Sequence, residues 1–241
     1  MTVPTVPAAS TAPTAATAAT VPAVPTVPTP PTTPRVPVVA VVPLRDGRTG
    51  KTRLAGPFTA AERTAIVASL ARHVVGTLLA TDAVARVLVV TGDPAFAART
   101  LAAHPRLEVL AQPADRRGLN AAVELGRARA VADGAGRVLV MHADLPLLTP
   151  DDVAALLAPD AHVVLAADRA GTGTNALVLG ADVRGFTFRF GVGSAAAHGA
   201  EAAALGLETA VVRRPGTTTD LDTPEDWLAL PARDRTRFLG S

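Results

Sequence analysis

The chain of 241 residues has no cysteine, one lysine and only 3% aromatic residues. Without thiols, disulfide frameworks, thiolate metal centres and cysteine nucleophiles are excluded. The shortage of aromatics, together with scattered arginines that form no basic stripe, argues against a nucleic-acid partner. The pI of about 10.2 reflects arginine standing in for lysine, since the formal net charge is only +2. Long apolar runs are missing as well. The stretch "VPVVAVVPL" covers nine residues, whereas a membrane-spanning helix needs about 20. No basic segment followed by an unbroken apolar core opens the chain, so a secretory signal is not expected and the cytoplasm is the expected location.

What is present divides into two parts. Residues 1–34 are almost entirely Ala, Pro, Thr and Val, without charge or aromatics. Such a composition buries too little surface to offset ordering entropy, so a disordered tail is expected over 1–34 and a folded domain over 35–241. Within the domain, valine-rich runs alternate with helical patterns, which reads as an α/β domain with a mostly parallel sheet flanked by helices. Strands are expected at 36–43, 86–92, 107–113, 136–148, 161–168, 175–180 and 207–214. Helices are expected at about 59–80 with Thr59 as N-cap, at "PAFAARTLAA", at 119–132, and from "TPEDWLAL" onward. Polar clusters directly follow several strands, and in open α/β sheets the ligand crevice lies beyond the strands' carboxyl ends.

The single lysine, Lys51, lies in "GRTGKTRL". A Walker A loop requires four residues between its first glycine and the Gly-Lys pair. Here two residues separate Gly47 from Gly50, Arg45 stands where the first glycine belongs, and Pro57 interrupts any helix starting at Lys51. The Walker reading fails on spacing, yet Arg48, Lys51 and Arg53 still offer cations to phosphates beside glycines that permit close backbone approach. "HADLP" places Asp144 at the end of a strongly apolar strand, a position suited to Mg²⁺ alongside substrate phosphates. In "TTTDLDTPEDW", Thr223, Pro224 and Asp226 make a helix start, which leaves Asp220 and Asp222 without a capping role. "DRAGTGTNAL" forms a turn of hydroxyls and backbone N–H groups. "FRFGVGSAAAH" puts Ser194 at an expected helix N-cap able to hold an anion.

These pieces, in order from about residue 36 to 230, resemble the guanylyltransferases of coenzyme F420 biosynthesis. The resemblance rests on "VPLRDGRTGKTRLA", "GLNAAV", "HADLPLL", "DRAGTGTNALVL", "FRFGVGSAAAH" and "DLDTPEDW". It implies a Rossmann-like, GT-A-like nucleotidyltransferase fold, GTP and Mg²⁺. It also implies a small phospho-acid acceptor: phosphoenolpyruvate first, with 2-phospho-L-lactate and 3-phospho-D-glycerate as the other candidates. The product would pass to a downstream transferase. By the same resemblance Lys51, Arg53 and Arg48 neutralise the triphosphate, and Asp144 with Asp222 or Asp220 holds the metal. Gly118 and Asn120 belong to the guanine turn. Thr174, Gly191 and Ser194 grip the acceptor, Asp168 and Arg169 shape that pocket, and His198 either lines it or packs beside it. The competing functions are a molybdopterin-type nucleotidyltransferase and a non-catalytic nucleotide-binding protein. The small residues of "GTGTN" and "FGVGS" favour a compact acceptor over the first. Retention of all three carboxylates speaks against the second.

Overall fold

Val38, Ala40, Val42 and Leu44 alternate with Val39 and Val41 along the first strand, β1 (Val38–Leu44), and both sets are buried. Successive strand side chains point to opposite faces, so this pattern requires a sheet covered on both sides. The structure is a computed structural model that describes residues 1–2, 36–45 and 51–239. The expected tail therefore falls almost wholly outside the described residues, as do Gly47, Arg48 and Gly50. Arg35–Ser241 forms one unit.

Seven strands build a single sheet in the order β3-β2-β1-β4-β6-β5-β7. The others are β2 (Val84–Thr91), β3 (Leu107–Ala111), β4 (Arg137–Met141), β5 (Val163–Ala167), β6 (Thr174–Gly180) and β7 (Thr209–Val211). Strand β6 runs antiparallel to both β4 and β5, and the other pairs are parallel. The mixed, mostly parallel sheet matches the sequence reading. Because β1 leads to β2 and β3 on one side while β4 lies on the other, the order reverses between β1 and β4. That reversal is where an open α/β sheet forms its ligand crevice.

One face of the sheet packs against α1 (Ala60–Ala80), α2 (Pro94–Thr100) and α4 (Pro150–Leu157), through residues such as Val74, Leu78, Phe96 and Leu156. The other face packs against α3 (Leu119–Ala132) and α5 (Ser194–Ala204), with Phe186, Phe188 and Phe190 between them. A third cluster joins Leu54, Phe58, Ile66 and Leu70 to Leu221, Trp227 and Phe238. It ties the turn after Lys51 to the segment carrying Asp222 and to the helices α7 (Pro224–Ala229) and α8 (Ala232–Leu239) that follow the short α6 (Pro215–Thr218).

Thr59 caps α1 as expected, in a reciprocal box with Glu62. Two expectations need correction, and one helix is new. Strand β4 ends at Met141 instead of running to 148, because after the His142 N–H reaches the Asn175 carbonyl the chain turns and buries Leu145 and Leu148 in the core. Helix α4 went unread although Thr149, Pro150 and Asp152 form a complete capping box. Gly193, in the left-handed region at φ 71°, is the N-cap of α5, so Ser194 is its first helical residue and makes no capping bond.

Candidate active site

The carboxyl ends of β1 and β4 and the amino end of the antiparallel β6 open onto a cleft of about 860 Å³. Lys51 follows β1, and its Nζ donates to Asp144 Oδ2 at 2.6 Å and to Asp222 Oδ1 at 2.5 Å. Residues 93 and 171 positions away in sequence are thus joined by one ammonium. The Lys51 backbone is left-handed, φ 56° and ψ 38°, and it is the one non-glycine residue with positive φ among the described residues. That conformation costs a lysine roughly 1–2 kcal/mol, a cost sustained by the double ion pair.

Burial alone would lower the pKa of Lys51, yet the two carboxylates hold it above its ordinary value. Burial alone would raise Asp144, yet Lys51 holds it below the usual carboxylate range. Both groups are therefore charged at neutral pH. Asp220, in contrast, is pushed up by burial and by the neighbouring charges of Asp144 and Asp222. Its carboxylate takes a hydrogen bond from the Asn175 side chain, and among the described residues it shares no ion pair, whereas Asp222 does. The two candidates for the second acidic position thus separate: Asp222 shares a cation with Asp144, and Asp220 does not.

Among the described residues, no group of three or more His, Asp or Glu side chains stands ready to enclose a metal. The donors nonetheless fit Mg²⁺, which takes one or two carboxylates and completes its shell with substrate phosphates and water. Asp144 and Asp222 already bracket one cation, and Asp144 Oδ1 is buried with no hydrogen-bond partner among the described residues.

Lys51, Arg53, Asp144, Asp168, Thr174, Gly191, Ser194, Gly118, Asp220 and Asp222 all line this one cleft. Asp168 does so as a scaffold, since its carboxylate accepts from Thr172 N at 2.8 Å and Gly173 N at 2.9 Å and so shapes the turn that presents Thr174. A Cβ at Gly173 would lie 2.6 Å from Asp168 Oδ2, so a side chain there would displace the carboxylate that shapes this turn. Two expected residues are placed elsewhere. The Asn120 amide donates to the Phe190 carbonyl at 3.2 Å, and its oxygen accepts from Phe190 N at 2.8 Å, so it braces the turn at Phe190 and does not line the cleft. Arg169 is exposed and reaches Asp226 at 3.2 Å, away from the cleft lining.

The sequence reading missed Arg45, Gln112, Asn175 and His142, which also line the cleft. Gln112 ends the β3 segment and donates to the carbonyls of Arg116 at 2.7 Å and Gly118 at 2.9 Å, fastening the loop that leads into α3. The buried Asn175 amide donates to Thr217 O at 3.0 Å and so anchors the segment leading to Asp220 and Asp222. Each of the four stands at or just beyond a strand end, the signal that could have found them.

A family model described as "Guanylyl transferase CofC like" matches residues 38–232. A phosphoenolpyruvate guanylyltransferase of Rubrobacter xylanophilus is 41% identical over 191 residues, which cover 77% of this chain and 89% of the relative. A 3-phospho-D-glycerate guanylyltransferase of Phenylobacterium zucineum is 38% identical over 185 residues, covering 75% and 83%. Among solved structures, a nucleotidyl transferase from Methanothermobacter aligns with a TM-score of 0.54 at 22% identity, covering 84% of this chain and 97% of the other, a likeness of fold.

Proposed function

The chain belongs to the CofC-like guanylyl transferase family, and we propose that it transfers GMP from GTP to the phosphate of phosphoenolpyruvate in coenzyme F420 biosynthesis. A phosphate oxygen of the acceptor attacks the α-phosphorus of GTP. The bond from that phosphorus to the α,β-bridging oxygen breaks, and diphosphate leaves. The product is enolpyruvoyl-2-diphospho-5'-guanosine, which a downstream transferase consumes. The observation that carries this reading is the bridge Asp144–Lys51–Asp222 at the sheet's reversal point.

The nucleophile is already an anion, so the work of the site is positioning and charge neutralisation. Lys51 and Arg53 balance the charge of the triphosphate and the departing diphosphate. Asp144 and Asp222 would hold Mg²⁺, which would supply positive charge to the reacting phosphates. Asp220, whose pKa is raised, lies beside them as an auxiliary acidic group. Thr174, Ser194 and the backbone at Gly191 receive the acceptor, with the N-terminus of α5 favouring its negative charge. Gly118, at φ 101°, opens α3 at the nucleotide end.

The test is competition among phosphoenolpyruvate, 2-phospho-L-lactate and 3-phospho-D-glycerate with GTP and Mg²⁺, read by product mass. The enolpyruvoyl product should dominate. A dominant glyceryl product would move this chain to the specificity named for the Phenylobacterium relative.

A further inference from the structure

His198 is fully buried and lies outside the cleft lining, yet it touches the acceptor side of the site through one hydrogen bond, Nδ1 to Thr174 Oγ1 at 3.0 Å. Its other nitrogen fixes the direction of that bond. The Arg189 backbone N–H meets His198 Nε2 at 2.9 Å. A backbone N–H can only donate, so Nε2 is an acceptor and carries no proton. Burial, with Arg189 and His142 nearby, pushes the imidazole pKa down to about 4, so the ring is neutral at physiological pH. Its single N–H is therefore on Nδ1, and Nδ1 donates to Thr174 Oγ1.

The consequence lies on the threonine. A hydroxyl has one hydrogen and two lone pairs. With a lone pair of Oγ1 occupied by His198, the Thr174 hydrogen must point elsewhere, and among the described residues nothing accepts it. Thr174 is 2% exposed and lines the cleft, so the direction left to its hydroxyl is toward an anion bound there. Phe190 stands edge-on to the imidazole with ring centres 4.7 Å apart, and Phe186 is stacked at 6.1 Å. These rings lock the imidazole plane and surround it with apolar surface.

We propose that His198 is a positioning residue that, as its Nδ1–H tautomer, holds the Thr174 hydroxyl as a hydrogen-bond donor to the acceptor's anionic group. This rests on the reading of Thr174 as an acceptor contact. It gives the buried histidine a part in acceptor affinity through Thr174, without any contact to substrate.

Two substitutions separate the histidine's two bonds. In His198→Asn the amide nitrogen can occupy the Nδ1 position and keep the donor to Thr174. In His198→Gln the longer chain brings the amide to the Nε2 position, where it can accept from Arg189 but leaves Thr174 without its donor. Both lose the ring's packing, so a purely structural role would make them alike. Steady-state kinetics with GTP and phosphoenolpyruvate should give acceptor KM close to wild type for His198→Asn and raised about tenfold or more for His198→Gln, with GTP KM unchanged in both. Thr174→Val should raise acceptor KM similarly, and adding His198→Gln to it should raise KM little further. Nitrogen-15 NMR of the wild-type imidazole should find the proton on Nδ1. Equal acceptor KM for the Asn and Gln variants, or a proton on Nε2, would overturn the proposal. If the wild type turns over but Thr174→Val leaves acceptor KM unchanged, the role of Thr174 itself is wrong. No turnover by wild type with any phospho-acid would instead sink the transferase reading.

Discussion

At the scale of single residues, the lone lysine is the most informative position in the chain. Its sequence context points to a loop suited to phosphates, but only the fold shows that Asp144 and Asp222 meet on its ammonium. Lys51→Ala should lower turnover by about 10²–10³-fold, with circular dichroism retaining the native spectrum. It should also cost stability, because a buried carboxylate left without its partner is expensive. Lys51→Ala combined with Asp144→Asn should therefore unfold at a higher temperature than Lys51→Ala alone. The histidines yield a pH prediction. His73 and His198 both have pKa values near 4 in the folded chain, pushed down first by burial, against 6.5 as the ordinary value. A depressed histidine favours the fold fully above the unfolded pKa and loses that advantage as pH falls toward the folded one. Stability measured by denaturant titration should therefore decline from about pH 6.5 to pH 4, by on the order of 2 kcal/mol for His198. A His198→Asn variant should decline less over that window.

At the scale of elements, one capping pattern occurs twice. Thr223-Pro224-Glu225-Asp226 is legible as a helix start, and the structure closes it into a box that also holds Asp222 N on Asp226 at 3.1 Å. Thr149-Pro150-Asp151-Asp152 carries the same signal but directly follows an apolar stretch, 136–148, that reads as one strand. The difference lies in the preceding residues. Leu145 and Leu148 are buried in the core from a turn, and a one-dimensional pattern cannot tell a buried turn from a strand. Either threonine changed to alanine should cost about 1 kcal/mol. Thermal unfolding should register both, while turnover should fall only for Thr223→Ala, because only that cap shares Asp226 with the Asp222 backbone. Helix α3 offers a packing test. A Cβ on Gly126 would lie 2.3 Å from Val41 Cγ1, so Gly126→Ala should push α3 off β1 and destabilise by roughly 1–3 kcal/mol. Ser194 and Asn120 mark the limit of motif reading. Their motif positions were found, but the left-handed Gly193 and the backbone of Phe190 decide what those side chains do, and neither leaves a trace in sequence spacing.

At the scale of the whole molecule, the candidate site is built at strand ends. The polar clusters after successive strands were visible in sequence, and the fold gathers those after β1, β3, β4, β5 and the segment after α6 around one cleft. What sequence could not supply was the strand order, because the reversal between β1 and β4 and the antiparallel β6 follow from long-range pairing. The third hydrophobic cluster then sets the distance across the site by joining Leu54 to Leu221. No helix of the described residues is long and apolar enough to cross a membrane. The most direct measurement of the central claim is diphosphate release from GTP in the presence of Mg²⁺ and phosphoenolpyruvate, for the wild-type chain and Asp144→Asn side by side. The account predicts acceptor-dependent release by the wild type and a loss of about 10²-fold or more in the variant. Equal release by both, or release that needs no acceptor, would contradict it.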